Sequence, residues 1–266
     1  MTGLPASFLI LDDPFHLFLA VVALVVAYGV FTLAGFGSAL VASGPLALVM
    51  PVSRVIPLLA LLDCTGSAHR GWKLRHKVDR AELKVLLPGM LLGQLLGVFV
   101  LIRIAPWLMA LLLGAFITVQ GLKGLHSRTP SASSLGTGWR SSALFHGLLG
   151  GVLGGLFGSG GFMYASYLER RLDCREAFRA TQSVLIALST AWRIGLCIFA
   201  GLLDGSMLVT AVMLLPAMAL GVALGHRVDL HLSRAQLFKL LSGLLVLSGL
   251  SLILRYSVNL LARLWL

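Results

Sequence analysis

The chain has 266 residues, 58% of them hydrophobic and only 12% charged, with a mean hydropathy of +0.95. That balance excludes a soluble globular domain and puts most of the chain in a lipid bilayer. A net charge of +11 would point to nucleic acid in a soluble protein, but a membrane protein gathers Lys and Arg on its cytoplasmic loops, so no nucleic-acid partner is expected.

The N-terminal stretch "MTGLPASFLILDDPFHLF" has no basic residue ahead of its apolar part and carries Asp12 and Asp13. A cleaved signal peptide is therefore not expected, and the first span is expected to be kept. Apolar segments follow at about 16–34, 38–50, 55–69, 83–101, 106–123, 143–158, 161–169, 177–200, 207–225 and 236–254. Most approach the ~20 residues that cross a bilayer as helix, and none alternates as a barrel strand does. The expected fold class is all-α, a polytopic helical membrane protein. Segments 38–50 and 161–169 are too short to cross comfortably and are expected to be half-membrane or broken helices.

Basic residues cluster in four loops: "RGWKLRHKVDR" (70–80), "KGLHSRTPSASSLGTGWR" (123–140), "ERRLDCREAFR" (169–179) and "HRVDLHLSRAQLFK" (226–239). Counting the segments through puts all four on one side, the cytoplasm. The other side receives Asp12, Asp13, Arg54, Arg103, the "GLLDGS" turn at 201–206 and the tail with Arg255 and Arg263. Cys64, Cys174 and Cys197 show no disulfide or metal-ligand spacing, so neither a metal nor any other cofactor is expected.

A polar linker at 126–142 divides the chain into repeats at 1–125 and 143–266. "FGS" at 36–38 matches "FGS" at 157–159, "LPGMLLG" (87–93) matches "LPAMALG" (215–221), and Val78–Asp79 falls opposite Leu203–Asp204. The loop after the third segment is strongly basic in the first half and bare of Lys and Arg in the second, and the next loop does the reverse. With four to five segments in each half, the copies are expected to enter the membrane from opposite faces. Such an inverted-topology repeat is typical of secondary transporters, whose substrate site lies at the repeat interface, often at discontinuous helices.

The glycine-dense run "GGVLGGLFGSGG" (150–161) sits inside an apolar segment, although each glycine costs a helix about 1 kcal/mol relative to alanine. Residues 150–155 read as a small-residue packing face. The duplicated motif, "AGFGSALVASGP" (34–45) and "GGLFGSGGF" (154–162), falls where a full span meets a short one. There a break frees backbone amides, and with a helix N-terminus they make an anion site, the candidates being Gly37, Ser38, Gly158, Ser159 and Gly160.

The duplicated glycine motif, the "V/L-D" after the third segment of each half and the two-fold repeat resemble the sulfite exporter TauE/SafE family over about residues 18–254. That resemblance implies a membrane permease for small sulfur-containing or carboxylate anions. The chain departs from the family pattern in its third segment, where "ALLDCTGSAHRG" (60–71) replaces a small polar "GTS"-like stretch, whereas "ATQSVLIALS" (180–189) stays closer.

Arg193, in "STAWRIGLC", is the one basic residue placed inside a span. Either it neutralises an anionic substrate or it snorkels to the nearby outer boundary. Gln182, Ser183, Ser189 and Thr190 on the same segment could donate to oxyanion oxygens or bond back to their own helix. Asp63, followed by Thr65 and Ser67, could carry a coupling proton or another coupling ion such as sodium, or be simply neutral and hydrogen-bonded. His69 and His146 are read as interfacial, and Trp72, Trp107 and Trp139 as a boundary belt. The leading functional expectation is a secondary transporter that moves a small anion such as sulfite or a sulfonate across the cytoplasmic membrane. No "GxxxxGK[ST]" motif is present for ATP. The rivals are a cation or proton-coupled carrier using Asp63, and an intramembrane hydrolase pairing Ser159 with His146.

Overall fold

The computed structural model describes residues 13–34, 37–126, 139–227 and 234–264. Among them the regular structure is helical, with no strand. The first half of the chain supplies α1 (Pro14–Ala34), α2 (Ser38–Val49), α3 (Val52–Lys73), α4 (Arg80–Arg103) and α5 (Pro106–His126). The second supplies α6 (Trp139–Phe157), α7 (Gly161–Leu168), α8 (Arg175–Phe199), α9 (Gly205–Arg227) and α10 (Arg234–Leu264). Of these, α1, α4, α5, α8 and α9 are long and apolar enough to cross a membrane. The linker core at 127–138 and the loop at 228–233 lie outside the described residues.

Local chemistry sets the helix ends. Pro14 and Pro106 open α1 and α5, where a missing N–H costs nothing. Asp79 caps α4, its carboxylate accepting from the Ala81 and Glu82 amides at 2.9 and 3.0 Å. Asp204, its sequence counterpart, does the same for α9 by accepting from the Met207 amide at 2.9 Å. Pro88 of α4 and Pro216 of α9 likewise sit at matching places. Two helices run further than the sequence suggests. The third segment continues through Arg70 to Lys73, and the last extends past residue 254 to Leu264, where Arg255 donates to the Leu48 carbonyl.

Four helix pairs build the bundle: α4 on α6, α1 on α9, α3 on α8 and α5 on α10. Exchanging the halves, α1 for α6 through α5 for α10, maps this set onto itself. In the α4–α6 seam the glycines meet backbone to backbone: a Cβ on Gly97 would lie 2.6 Å from the Val152 carbonyl oxygen, and one on Gly155 would lie 2.8 Å from that of Gln94. Gly151 belongs to the same seam, so the packing reading of that part of the run holds. The α1–α9 pair repeats the arrangement, with Gly225 closing on the Gly29 carbonyl.

The α3–α8 pair is antiparallel. At one end Arg54, in the first turn of α3, pairs with Asp204 beyond the end of α8 at 3.1 Å. At the other, Lys77 beyond α3 pairs with Glu176 in the first turn of α8. The main apolar core wraps this pair, drawing Leu58, Leu59 and Leu62 from α3, Tyr28 and Phe31 from α1 and Ile117 from α5. Large apolar side chains such as Phe99, Val212 and Leu220 face outward, as lipid contact requires.

Candidate functional site

Between α1 and α2, and again between α6 and α7, the chain breaks at a glycine in the left-handed region: φ is +97° at Gly37 and +73° at Gly158. These are the glycines of the two FGS motifs, and an L side chain at either position would cost about 1–2 kcal/mol. The turns aim the first residues of both short helices at each other. A Cβ on Gly158 would sit 3.1 Å from the Ala39 Cβ, so the motifs are in contact. First-turn amides have no acceptor within their own helix, and they carry the positive end of its dipole.

The space between the motifs is a cavity of about 30 Å³, lined by Gly37, Ser38, Gly158, Ser159 and Gly160, by Asp63 of α3 and by Arg193 of α8. It has room for about two water molecules. Ile186, Ser189 and Thr190 complete the α8 face at helical spacing.

Arg193 is 1% exposed and points inward, not toward the boundary. Its Nη1 donates to the Gly154 carbonyl in the last turn of α6 at 2.6 Å, while its Nε has no partner. Gly154 therefore does more than pack: its carbonyl anchors the guanidinium. The Ser159 hydroxyl, 4% exposed, also has no partner. Across the cavity Asp63 is fully occupied at Oδ1, which accepts from the Tyr28 hydroxyl at 2.8 Å and from Ser38 Oγ at 2.7 Å. Asp63 and Arg193 share the cavity without forming an ion pair among the described contacts.

Two sequence candidates lie elsewhere. Gln182 and Ser183 are buried on α8 but sit about a turn before Ile186, beyond the cavity lining. The Gln182 amide donates to the Gly161 carbonyl at 2.7 Å and so props the start of α7. Thr65 bonds back to the Leu62 carbonyl of its own helix, and Thr190 to that of Ile186. His146 is buried with its ring 5.6 Å from that of Tyr167, and it makes no bond to Ser159. The His69 side chain lies outside the described residues. Trp72 and Trp107 are exposed, as a boundary position requires.

Sequence reading missed Tyr28, Phe31 and Gln94. Gln94 donates to Ser189 Oγ from the α4 side, so it braces a cavity residue. Near the bundle end, Glu82 is buried and accepts from Tyr167 at 2.8 Å and from Arg171 at 2.9 Å. That carboxylate stabilises the charged guanidinium and raises its pKa.

Fold and site together define a polytopic helical membrane protein with two glycine-broken helices converging on a small polar cavity. The family model "Sulfite exporter TauE/SafE" matches residues 19–252, and the chain belongs to that family. It is 32% identical over 196 residues to the probable inner membrane transporter protein TsaS of Comamonas testosteroni, covering 73% of this chain and 81% of the relative. It is 30% identical over 239 residues to the probable sulfite/organosulfonate exporter TauE of Cupriavidus necator, covering 84% and 88% respectively. No solved structure is significantly similar.

Proposed function

We propose that the protein is a secondary transporter, not an enzyme, that carries a small sulfur-containing or organic anion such as sulfite or a sulfonate across the inner membrane. The observation that carries this reading is Arg193, a guanidinium sealed in the cavity with an unpartnered Nε beside the unpartnered Ser159 hydroxyl. Buried donors without acceptors are costly, and an oxyanion satisfies them. Gly37, Ser38, Gly158, Ser159 and Gly160 form the rest of the cradle, with the amides that open α2 and α7. The small cavity favours an ion of few heavy atoms. Gln182 supports this cradle through Gly161 and does not itself touch the anion, and Ser183 has no part in it.

Two inverted repeats, 1–125 and 143–266, frame the site. The self-mapping helix pairs, the antiparallel α3–α8 pair and the matched glycine turns support that relation. Asp63 is the proposed coupling group. With Arg193 charged and Asp63 ionised the cavity is neutral, so an incoming anion leaves one buried negative charge uncompensated. A proton on Asp63 restores neutrality, and a sodium ion beside it would do the same.

The test is thermal stabilisation of purified protein by sulfite, methanesulfonate and acetate, with Arg193→Gln alongside. A charge-assisted hydrogen bond is worth about 1.5–3 kcal/mol, so the variant is expected to bind roughly ten- to hundred-fold more weakly. Stabilisation by none of the anions, or undiminished stabilisation in the variant, would refute the reading.

A further inference from the structure

Gln94 is a fully buried amide in an apolar span. It stands on α4 between Gly93 and Gly97, in the seam where α4 and α6 touch backbone to backbone. With no water to bond there, such an amide needs a partner from the protein. The seam leaves it a passage, because a Cβ on Gly154 of α6 would stand 3.2 Å from Gln94 Nε2. Through that gap the amide reaches α8 and donates to Ser189 Oγ, while its Oε1 has no partner.

The direction of that bond decides what Ser189 can do. A serine hydroxyl has one proton and two lone pairs. Inside a helix the proton commonly goes back to the carbonyl one turn earlier, as that of the adjacent Thr190 goes to Ile186 at 2.8 Å. Among the described contacts Ser189 makes no such bond to Leu185: Gln94 takes a lone pair and the proton is left over. The Tyr164 hydroxyl, packed behind Gly160, has no partner and so does not take that proton. Ser189 lines the cavity one helical turn from Arg193, on the same face of α8. Its proton is therefore free for the cavity, alongside the unpartnered Arg193 Nε and Ser159 hydroxyl. The arginine of α3 adds nothing to this set: Arg70 donates to the Phe31 carbonyl at 3.2 Å and stacks 3.8 Å from the centroid of the Phe31 ring.

We propose that Ser189 is a third donor to the anion, and that Gln94, which does not touch the anion, is the positioning residue that keeps the Ser189 proton directed at it. The inference rests on the transporter reading above. Gln94 occupies the side of the hydroxyl that faces α4 and holds it away from its own helix. Trp192, whose indole donates to the Leu91 carbonyl at 3.3 Å, ties α8 to α4 independently. Loss of the Gln94 amide therefore releases the hydroxyl without unseating the helix.

The experiment is a double-variant cycle read as anion affinity, taken from thermal stabilisation of purified protein. Sulfite, methanesulfonate and acetate are compared on wild type, and the one that stabilises it most is titrated. Ser189→Ala is expected to weaken binding about two- to ten-fold, as loss of one neutral hydrogen bond requires. Gln94→Met, similar in length but without an N–H, is expected to weaken it by a comparable or smaller factor, and Gln94→Leu takes its place should that variant fail to fold. The double variant is expected to bind like Ser189→Ala alone, because Gln94 acts only through that hydroxyl. A Gln94 that merely ties two helices would lower Tm without ligand and leave the affinity unchanged, or weaken it by the same factor whether residue 189 is Ser or Ala. Either result would overturn the inference while the transporter reading stands, and so would Ser189→Ala binding as tightly as wild type. Wild type stabilised by none of the anions, or Arg193→Gln stabilised as much as wild type, would overturn the transporter reading and this role with it.

Discussion

The α4–α6 seam makes a quantitative test of how the bundle is held. At Gly97 an added Cβ would stand 2.6 Å from the Val152 carbonyl oxygen and 3.0 Å from the Gly155 Cα, against an ordinary contact of 3.4 Å or more. Both obstacles are backbone, so no side chain can swing aside, and Gly97→Ala must part the helices by most of an ångström. Overpacking of this kind costs about 1–3 kcal/mol, and alanine returns up to about 1 kcal/mol of helix propensity. A net loss near 1 kcal/mol lowers Tm by about 2–4 °C in a chain of this size. Gly195 is the control: it lies inside α8 with nothing within 4 Å of its would-be Cβ, so Gly195→Ala should keep the propensity gain and raise Tm. Thermal unfolding of both variants in one detergent is the assay. A Gly97→Ala protein as stable as wild type, or the two variants shifting in the same direction, would refute the claim that backbone contact holds the seam.

A second glycine pair separates backbone strain from site chemistry. Gly158→Ala and Gly201→Ala both force alanine to positive φ at about 1–2 kcal/mol, but only at residue 158 does the Cβ meet Arg193 Nη1, at 3.1 Å. Both variants should lose stability in thermal unfolding, and only Gly158→Ala should lose stabilisation by sulfite; equal anion responses would remove the glycine turn from the cradle. Asp63→Asn keeps an acceptor for Tyr28 and Ser38, so the protein should fold and bind anion at least as well, while flux driven by a proton or sodium gradient is lost. Coupled flux that survives the change would take Asp63 out of that role. Asp204 accepts from Ser206 and the Met207 amide and pairs with Arg54, which holds its pKa below the ordinary 3.8. A depressed carboxylate stabilises the fold above its unfolded value, and that contribution fades as pH falls through the folded one. The Tm gap between wild type and Asp204→Asn should therefore be open at neutral pH and close below about 3.8; a gap independent of pH would contradict the ion pair.

Apolar runs and glycine spacing made the helices and their breaks legible, because both follow from local backbone requirements. The FGS motifs were found by their duplication, and Asp63 and Arg193 by the cost of charge inside a span. Other residues gave weaker signals. Tyr28 looks like any aromatic in an apolar run, and only its buried hydroxyl, which needs a partner, marked it. Arg70 was hidden in a basic stretch that the charge rule assigns to a loop, and the extra helical turns of α3 that carry it inward follow from packing on α8. Gln182 lies outside the cavity lining for a different reason. It shares the helical face of Ile186 and Arg193, but the cavity ends before its turn, and periodicity gives direction around a helix without giving depth along it.

The two ion pairs that tie α3 to α8 act like weights on opposite arms of a balance. Arg54–Asp204 and Lys77–Glu176 stand at the two ends of one crossing, the first half-buried and the second exposed. Ion pairs this close to the surface are each worth about 1 kcal/mol or less, and salt screens both. Raising ionic strength lightens both arms together, so it changes how firmly the crossing is held and leaves its tilt nearly untouched. Neutralising one partner at one end tips the crossing toward the end that keeps its pair. The tilt of the crossing thereby depends less on salinity than on a single charge.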